Sequence, residues 1–333
     1  MTSPPMRLSL AEANARVTAF FARHGASEPN ARSVACALVA AEADGLKGHG
    51  LSRMPTYAGM LRSGKIDGFA SPVATRTRPG VLAIDAANGF AYPAIDLAIE
   101  RLPGIAREQG LAAAAIRRSS HCGAAGLHVE ALASQGLVAL LFANTPEAIA
   151  PWGGRRAVFG TNPIAFAAPV TGRAPVVVDL ALSKVARGQV VAAKQRGEPI
   201  PEGWALDREG RPTTDPNEAL AGTMIAMGDA KGAALALMVE VMAACLVGAS
   251  LSFEASSFLD EEGPPPGTGQ LLLALDPAAF GHAGFGERVV RMAEAVEGQD
   301  GARLPGARRL ALRAQSDAEG IPLSPELAKA LDR

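Results

Sequence analysis

The chain has 333 residues, 48% of them hydrophobic, and a formal net charge of −1. That length supports one large domain or a few closely packed lobes. The balanced charge, with no run of Lys or Arg, argues against nucleic acid or an anionic membrane surface as a partner. Cys36, Cys122 and Cys245 are too few and too widely spaced for a disulfide framework or a zinc site, so no metal and a reducing cytoplasm are expected. The first residues, Met1 to Arg7, contain no apolar h-region, and no signal peptide is expected there.

In chain order, Ser9 and Glu12 form a capping box for a helix that runs to about His24 and stops at Gly25. Ser27 is the predicted cap of a second helix, with Pro29 in its first turn and a stripe of Val34, Leu38 and Val39. The next stretch, 44–57, holds His49 and Arg53. If a helix starts near Gly50, the two share a face of its first turn, because residues four apart lie on one side. A guanidinium holds a carboxylate through two hydrogen bonds, and an imidazole beside it exchanges a proton near neutral pH. On spacing alone the pair reads as a surface His and a solvated Arg. The third helix carries Arg53, Tyr57 and Leu61 and ends at Ser63-Gly64.

A Pro/Gly-rich passage spans 72–80. Strands are predicted over 81–85, 111–116, 137–143, 159–166, 176–179 and 270–275, and helices over 94–108, 127–134, 183–194, 287–296 and 324–331. Residues 199–217, rich in Gly, Pro and Asp, read as a surface excursion with little regular structure. The most apolar run, 232–251, is interrupted by Glu240 and reads as a buried helix rather than a membrane span. His24, in a last helical turn, reads as structural. His128 reads as an exposed helical residue and His282 as a loop residue.

No G-x-G-x-x-G sits between a strand and a helix; Gly267-Thr268-Gly269 precedes a strand instead. P-loop, H-E-x-x-H and G-x-S-x-G motifs are also absent. What remains is a set of glycine junctions after strands. Ser120 to Gly126 can present backbone N–H groups to a pyrophosphate at a helix N-terminus. Gly160 to Pro163 and Gly228 to Gly232 are similar, and Arg303 to Arg309 adds positive charge. Lys231 stands where the helix dipole disfavours a cation, a cost that an anionic ligand offsets. The adjacency of His121 and Cys122 gives little support to a Cys/His nucleophile, since neighbours in an extended segment point apart.

In this order along the chain, Gly48-His49-Gly50 with Arg53 and Tyr57, Ser120-His121-x-Gly123, Phe159 to Pro163, Asp179-Leu180-Ala181-x-Ser183, Ala186-Arg187-Gly188, Ile200 to Asp207, Lys231-Gly232 and Arg303-Leu304-Pro305-Gly306 resemble the type-2 malate/L-lactate dehydrogenase family. That family also contains ureidoglycolate and sulfolactate dehydrogenases and Δ1-piperideine-2-carboxylate/Δ1-pyrroline-2-carboxylate reductases. The resemblance implies an α+β, non-Rossmann nicotinamide-binding fold. Its central sheet is largely antiparallel and its helical lobe is built from both chain ends. The lobe would comprise 1–72 plus 310–333. The NAD(P)-binding and catalytic region would comprise 73–309, with a polar excursion near 195–220. A homodimer is implied as well.

The resemblance also carries roles. His49 matches the proton-transferring histidine, a role some members give to the His121 position, so both are candidates. Arg53 and Tyr57 match the substrate-binding positions. His121, Cys122, Gly123, Ala124, Ala125, Thr161, Asp179, Leu180, Ala181, Lys231, Arg303, Leu304, Pro305, Gly306, Arg308 and Arg309 match cofactor-contacting segments. The implied cofactor is NADP, with NAD as the alternative, and Arg117 and Arg118 are candidates for a 2′-phosphate. The implied reaction moves a hydride between the nicotinamide and C2 of a small 2-oxo or 2-hydroxy acid, leaning to (R)-3-sulfolactate/sulfopyruvate or malate/lactate-type substrates. The alternative is NADPH-dependent reduction of cyclic or N-alkyl imines of 2-oxo acids. Two departures count against that alternative. Gly48 replaces a serine common before the histidine, and Gln189 replaces an aspartate that the imine reductases carry.

Overall fold

The ends of the chain meet. Strand β1 (Arg7–Leu8) pairs antiparallel with a two-residue strand near the other terminus, Arg7 opposite Pro322 and Leu8 opposite Ile321. The computed structural model describes residues 6–281 and 283–331. Helix α1 (Leu10–Arg23) opens on the predicted capping box. Ser9 Oγ accepts from the Glu12 N–H at 3.2 Å, and the Glu12 carboxylate accepts from the Ser9 N–H at 3.0 Å. His24 closes it as expected, its Nδ1 2.8 Å from the Phe20 carbonyl oxygen. Helix α2 (Glu28–Ala43) starts after Ser27, which holds the cap position without a side-chain bond. Helix α3 (Met54–Ser63) ends at Gly64, whose φ of +75° favours a glycine. Phe21, Leu38, Leu51, Met54 and Tyr57 share one core with Leu8, Ile321, Leu323 and Leu331 from the two ends.

Strand β2 (Val73–Arg78) occupies the passage read from the sequence as Pro/Gly-rich, with no strand expected. Its exposed, Arg-containing edge position hides the usual apolar alternation. Then follow β3 (Val81–Asp85), α4 (Ala91–Gln109), β4 (Leu111–Ser119), α5 (Ala125–Ala133), β5 (Val138–Ala143), β6 (Ile164–Val170), β7 (Arg173–Leu180) and α6 (Arg187–Arg196). The predicted helix over 183–194 thus begins later, because Ser183 to Ala186 approach it in extended or turn conformation. The excursion at 199–217 is not structureless. It contains β8 (Ala205–Leu206), β9 (Pro212–Thr213) and the start of α7 (Pro216–Ala221), and with β10 (Thr223–Met224) it makes a three-stranded sheet. Such short strands carry too few residues for a period to show. Helix α8 (Ala230–Glu240) continues as a π turn over Val241–Cys245. The chain finishes with β11 (Thr268–Leu275), α9 (Phe285–Glu297), α10 (Ala307–Glu319), β12 (Ile321–Pro322) and α11 (Pro325–Leu331).

The main sheet has seven strands in the order β2-β3-β4-β11-β5-β6-β7. Only β3 and β4 run parallel; every other neighbouring pair is antiparallel. One parallel crossover, β3-α4-β4, therefore lies inside an antiparallel sheet, which is why no train of βαβ units is visible in the sequence. Helices α4 and α5 cover one face through Ile95, Leu102, Val129 and Leu132 on Leu82, Ile84, Leu141 and Leu272. The alanines of β4, Ala112 and Ala114, let α4 approach closely. The other face packs Phe142 and Leu271 against Ala236, Val239 and Ala243 of α8 and its π turn. No helix among the described residues is long and apolar enough to cross a membrane.

Candidate active site

His49 and Arg53 do not share a helix. They lie on two successive 3-10 turns, Lys47–His49 and Leu51–Arg53, before α3. Gly50 joins the turns against Glu42: a Cβ there would sit 2.3 Å from Glu42 Oε2, and the Glu42 carboxylate accepts the Leu51 N–H at 3.0 Å. Glycine is thus required by close approach, and the tight joint prevents a regular helical start. Arg53 donates from Nε to the Gly48 carbonyl at 2.7 Å and from Nη1 towards the Phe258 carbonyl at 3.4 Å.

The parallel strand β4 delivers Ser120 and His121 to the same place. Gln270 on the neighbouring β11 fixes that exit by donating to the Ser120 carbonyl at 3.1 Å. His121 stacks on His49, ring centroids 5.3 Å apart and planes 20° from parallel. Phe258 closes over His121, also at 5.3 Å between centroids. Tyr57, from α3, places its hydroxyl 2.6 Å from His121 Nδ1 and 3.0 Å from the hydroxyl of Tyr92 on α4. Both tyrosines are 1% exposed. The hydroxyl of Tyr57 is therefore engaged by protein groups.

Burial, and then the Arg53 charge, hold both imidazoles neutral: His49 is lowered to about 4, and His121 is pushed well below its usual range. Burial raises the Tyr57 phenol to about 12, so it stays protonated. The Cys122 thiol, buried and near Asp179, is raised to about 12 and is inert as a nucleophile at neutral pH. His128 corrects the sequence expectation. It is buried, and its Nε2 lies 2.8 Å from the Cys122 carbonyl, which steadies the junction after β4. His282 falls outside the described residues.

Several of the cofactor candidates are linked to one another, starting from the segment that follows His121. The N–H groups of Gly123, Ala124 and Ala125, at the head of α5, donate to no group among the described residues. Asp179, at the end of β7, accepts the next one, Gly126 N–H, at 2.7 Å. Gly306 lies over the same strand, where a Cβ would be 3.4 Å from the Val177 carbonyl. Leu180 and Ala181 lead from β7 to Leu182, whose N–H reaches the Thr161 carbonyl at 2.8 Å. Leu182 also accepts from Met227 N–H at 2.7 Å, which brings the Gly228 turn and exposed Lys231 alongside. Arg303, Pro305 and Arg308 are exposed, with Leu304 partly buried.

Arg309 is placed differently from a free phosphate ligand. It pairs with Asp44 and Glu130 at 2.7 Å each, and Arg313 bridges the same two carboxylates. Arg117 and Arg118 are likewise ion-paired, both with Asp85. No group of His, Cys, Asp and Glu that could hold a metal occurs among the described residues.

Three residues escaped the sequence reading. Tyr92 and Phe258 carry no motif, although the chain has only two tyrosines and both meet here. Glu240 is the third. It is 4% exposed, and its carboxylate accepts from Ser252 N–H at 2.7 Å, Ser252 Oγ at 2.6 Å, Asn162 Nδ2 at 2.7 Å and Asn144 Nδ2 at 3.4 Å. A carboxylate interrupting an apolar run was its signal.

A family model described as malate/L-lactate dehydrogenase matches residues 8–332. The (2R)-3-sulfolactate dehydrogenase (NADP(+)) of Chromohalobacter salexigens is 52% identical over 306 residues, 92% of this chain and 91% of that protein. The Delta(1)-pyrroline-2-carboxylate/Delta(1)-piperideine-2-carboxylate reductase of Pseudomonas putida is 40% identical over 328 residues, 97% of this chain and 95% of that protein. Among solved structures, the delta1-piperideine-2-carboxylate reductase from Pseudomonas syringae pv. tomato superposes with a TM-score of 0.94 at 39% identity, covering 98% of each chain. The sheet, the gathered junctions and these likenesses agree: the chain belongs to the malate/L-lactate dehydrogenase family.

Proposed function

We propose that this chain is an NADP-dependent oxidoreductase acting at C2 of a small 2-hydroxy or 2-oxo acid, with (R)-3-sulfolactate/sulfopyruvate as the favoured pair. The observation that carries the reading is the meeting of Arg53 with two stacked, neutral imidazoles beside an N–H-rich helix head. The 52% identity to a protein named for sulfolactate and NADP sets the substrate and cofactor lean. The residues fit a nicotinamide dinucleotide. Among the described residues, Ser119 Oγ and Ser120 Oγ are buried polar atoms without partners, and the N–H groups of 123–125 meet no acceptor. The bound cofactor supplies or takes the hydride.

The residues around it bind, orient and move the proton. Arg53, already braced on Gly48, offers its remaining N–H groups to the substrate carboxylate. That fixes C2 beside the imidazoles. His49, whose Nδ1 is buried without a partner among the described residues, exchanges the proton at the C2 oxygen, and His121 lies beside it to hydrogen-bond that oxygen. Phe258 excludes water from the His121 side. Asp179 to Ala181, Thr161, Lys231 and the 303–308 segment line the cofactor path, whereas Arg309 acts through its ion pairs on the position of that segment. In this reading 1–72 and 310–333 form the substrate-side helical lobe, 73–309 carries the non-Rossmann cofactor site, and the enzyme works in the cytoplasm.

The second reading is reduction of Δ1-piperideine-2-carboxylate or related imines, favoured by the 0.94 superposition. Gly48 and exposed Gln189 weigh against it, since neither supplies the hydroxyl or carboxylate of that relay. Purified enzyme should oxidise NADPH with sulfopyruvate faster than with pyruvate, oxaloacetate or Δ1-piperideine-2-carboxylate. A preference for the imine would replace the first reading with the second, and no turnover with any of them would remove both.

A homodimer is part of the proposal. Leu235, Leu237, Met238, Val241 and Leu246 are exposed along α8 and its continuation, with Leu237 51% and Leu246 64% accessible. So many large apolar groups on one segment mark an interface. Leu237→Glu should shift the sedimentation coefficient from dimer to monomer. A monomeric wild type would remove this part alone.

A further inference from the structure

The hydrogens of the Tyr92-Tyr57-His121 chain can be counted. Tyr92 has one hydroxyl hydrogen and one partner, the Tyr57 oxygen at 3.0 Å. Tyr57 has one hydrogen and two partners, Tyr92 and His121 Nδ1 at 2.6 Å. Three arrangements are consistent with the distances. In the first, Tyr92 donates to Tyr57 and Tyr57 donates to Nδ1, so every hydroxyl hydrogen is used and Nδ1 is the acceptor. In the second, Nδ1–H donates to Tyr57 and Tyr57 donates to Tyr92, which strands the Tyr92 hydrogen; in the third, Nδ1–H and Tyr92 both donate to the Tyr57 oxygen, which strands the Tyr57 hydrogen. Both tyrosines are fully buried, and neither has another acceptor in reach among the described residues. A stranded buried donor costs on the order of 1–3 kcal/mol, so the first arrangement prevails.

The backbone is shaped to hold Tyr92 there. Gly123, in the left-handed region at φ +67°, lies against its hydroxyl, and a Cβ at that position would fall 2.6 Å from the Tyr92 oxygen. The other ring nitrogen of His121, Nε2, has no partner among the described residues, and its ring faces His49 and Phe258.

We propose that Tyr92 is a positioning residue that, by donating to Tyr57, obliges Tyr57 to donate to His121 Nδ1 and so fixes His121 as the Nε2–H tautomer. This rests on the reading that His121 faces the substrate. His121 then meets the C2 oxygen as a hydrogen-bond donor, not as a base. As negative charge grows on that oxygen during reduction, a fixed N–H stabilises it without reorganisation. The exchangeable proton is left to His49, which has no such chain behind it. Two histidines that look interchangeable in the sequence thus have different tasks.

The test is nitrogen NMR of the enzyme labelled with 15N-histidine, the His121 signals assigned by loss in His121→Gln. The wild type should show a pyridine-type Nδ1 and a protonated Nε2 at neutral pH. Tyr92→Phe keeps the ring and should shift His121 towards a tautomer mixture, while kcat with the best oxo acid falls about 10-fold and substrate KM changes less than about twofold. A second route does not depend on that variant folding. Replacing both tyrosines with 3-fluorotyrosine labels only this pair and should move the His121 Nδ1 resonance while His24 stays in place. A protonated Nδ1 in the wild type, or His121 signals unmoved by either change, overturns the proposal. If the tautomer is as expected and no substrate turns over, the functional reading fails and the tautomer assignment stands.

Discussion

Arg53 has a position that its sequence spacing could not give. Its Nε is anchored on Gly48, and its charge lies close enough to depress both histidines. Arg53→Ala should therefore raise substrate KM by roughly 10- to 100-fold, the worth of a charge-assisted contact of about 1.5–3 kcal/mol, with a smaller loss in kcat. Steady-state kinetics separate the two effects. The histidines also set the pH behaviour. Their folded-state values lie below the ordinary 6.5, so the unfolded chain binds more protons wherever pH is below that value. Stability contributed by these two groups is complete above about 6.5 and is lost as pH falls towards the value of about 4 reached by His49. The Tm should drop over that window, and in the oxidation direction, where neutral His49 takes the proton, the acid limb of kcat/KM should break below 6.5. A break at 6.5 would mean that the histidines are wetter than their burial implies. At this scale the residue types were legible: His49, His121, Arg53 and Tyr57 all converge. Their contacts were not, because a hydrogen bond between Tyr57 and His121 spans 64 positions and leaves no local mark.

At the scale of elements, α8 does more than cover the sheet. Glu240 near its end gathers the loop after β5, through Asn144, and the loop before β6, through Asn162. Asn162 itself has φ +37°, a strained value that its bonds to Glu240 and to the Ala236 carbonyl hold in place. Thr161, a cofactor candidate, is the residue before it. Glu240→Ala leaves several buried donors unpaired and should cost about 3 kcal/mol or more, read as a lowered urea midpoint. It should also weaken NADPH binding, measured by quenching of the nicotinamide fluorescence. Unchanged binding would separate the network from the cofactor site. Caps and long stripes made α1, α2 and α4 readable. The edge strand β2, the short strands β8 to β10 and the 3-10 turns around Gly50 were hidden, because their geometry is imposed by neighbours such as Glu42 rather than by their own period.

Across the whole molecule, the sheet and the helical core are joined by a buried ion cluster. Asp44 at the end of α2 and Glu130 on α5 share Arg309 and Arg313 of α10. The hydrogen bonds that Arg313 donates to Asp44, more than its other contacts, raise its guanidinium above the ordinary value, and both carboxylates are almost fully buried. Breaking such a cluster by removing one cation is strongly destabilising, so Arg313→Ala should lower the Tm by several degrees. The effect should exceed that of Arg32→Ala, whose partner Glu28 is one exposed helical turn away.

The pairing of β1 with β12 has a consequence in time. Arg7 reaches Glu319 across 312 positions, and Leu8 is packed with Ile321, Leu323 and Leu331. During synthesis the sheet strands emerge and can pair first, while the helical core around His49 and Arg53 waits for Ile321, Leu323 and Leu331. Closure of the helical core that holds the candidate site is thus a late event, and a copy interrupted before Ile321 exposes the apolar stripes of α1 and α2 to quality control.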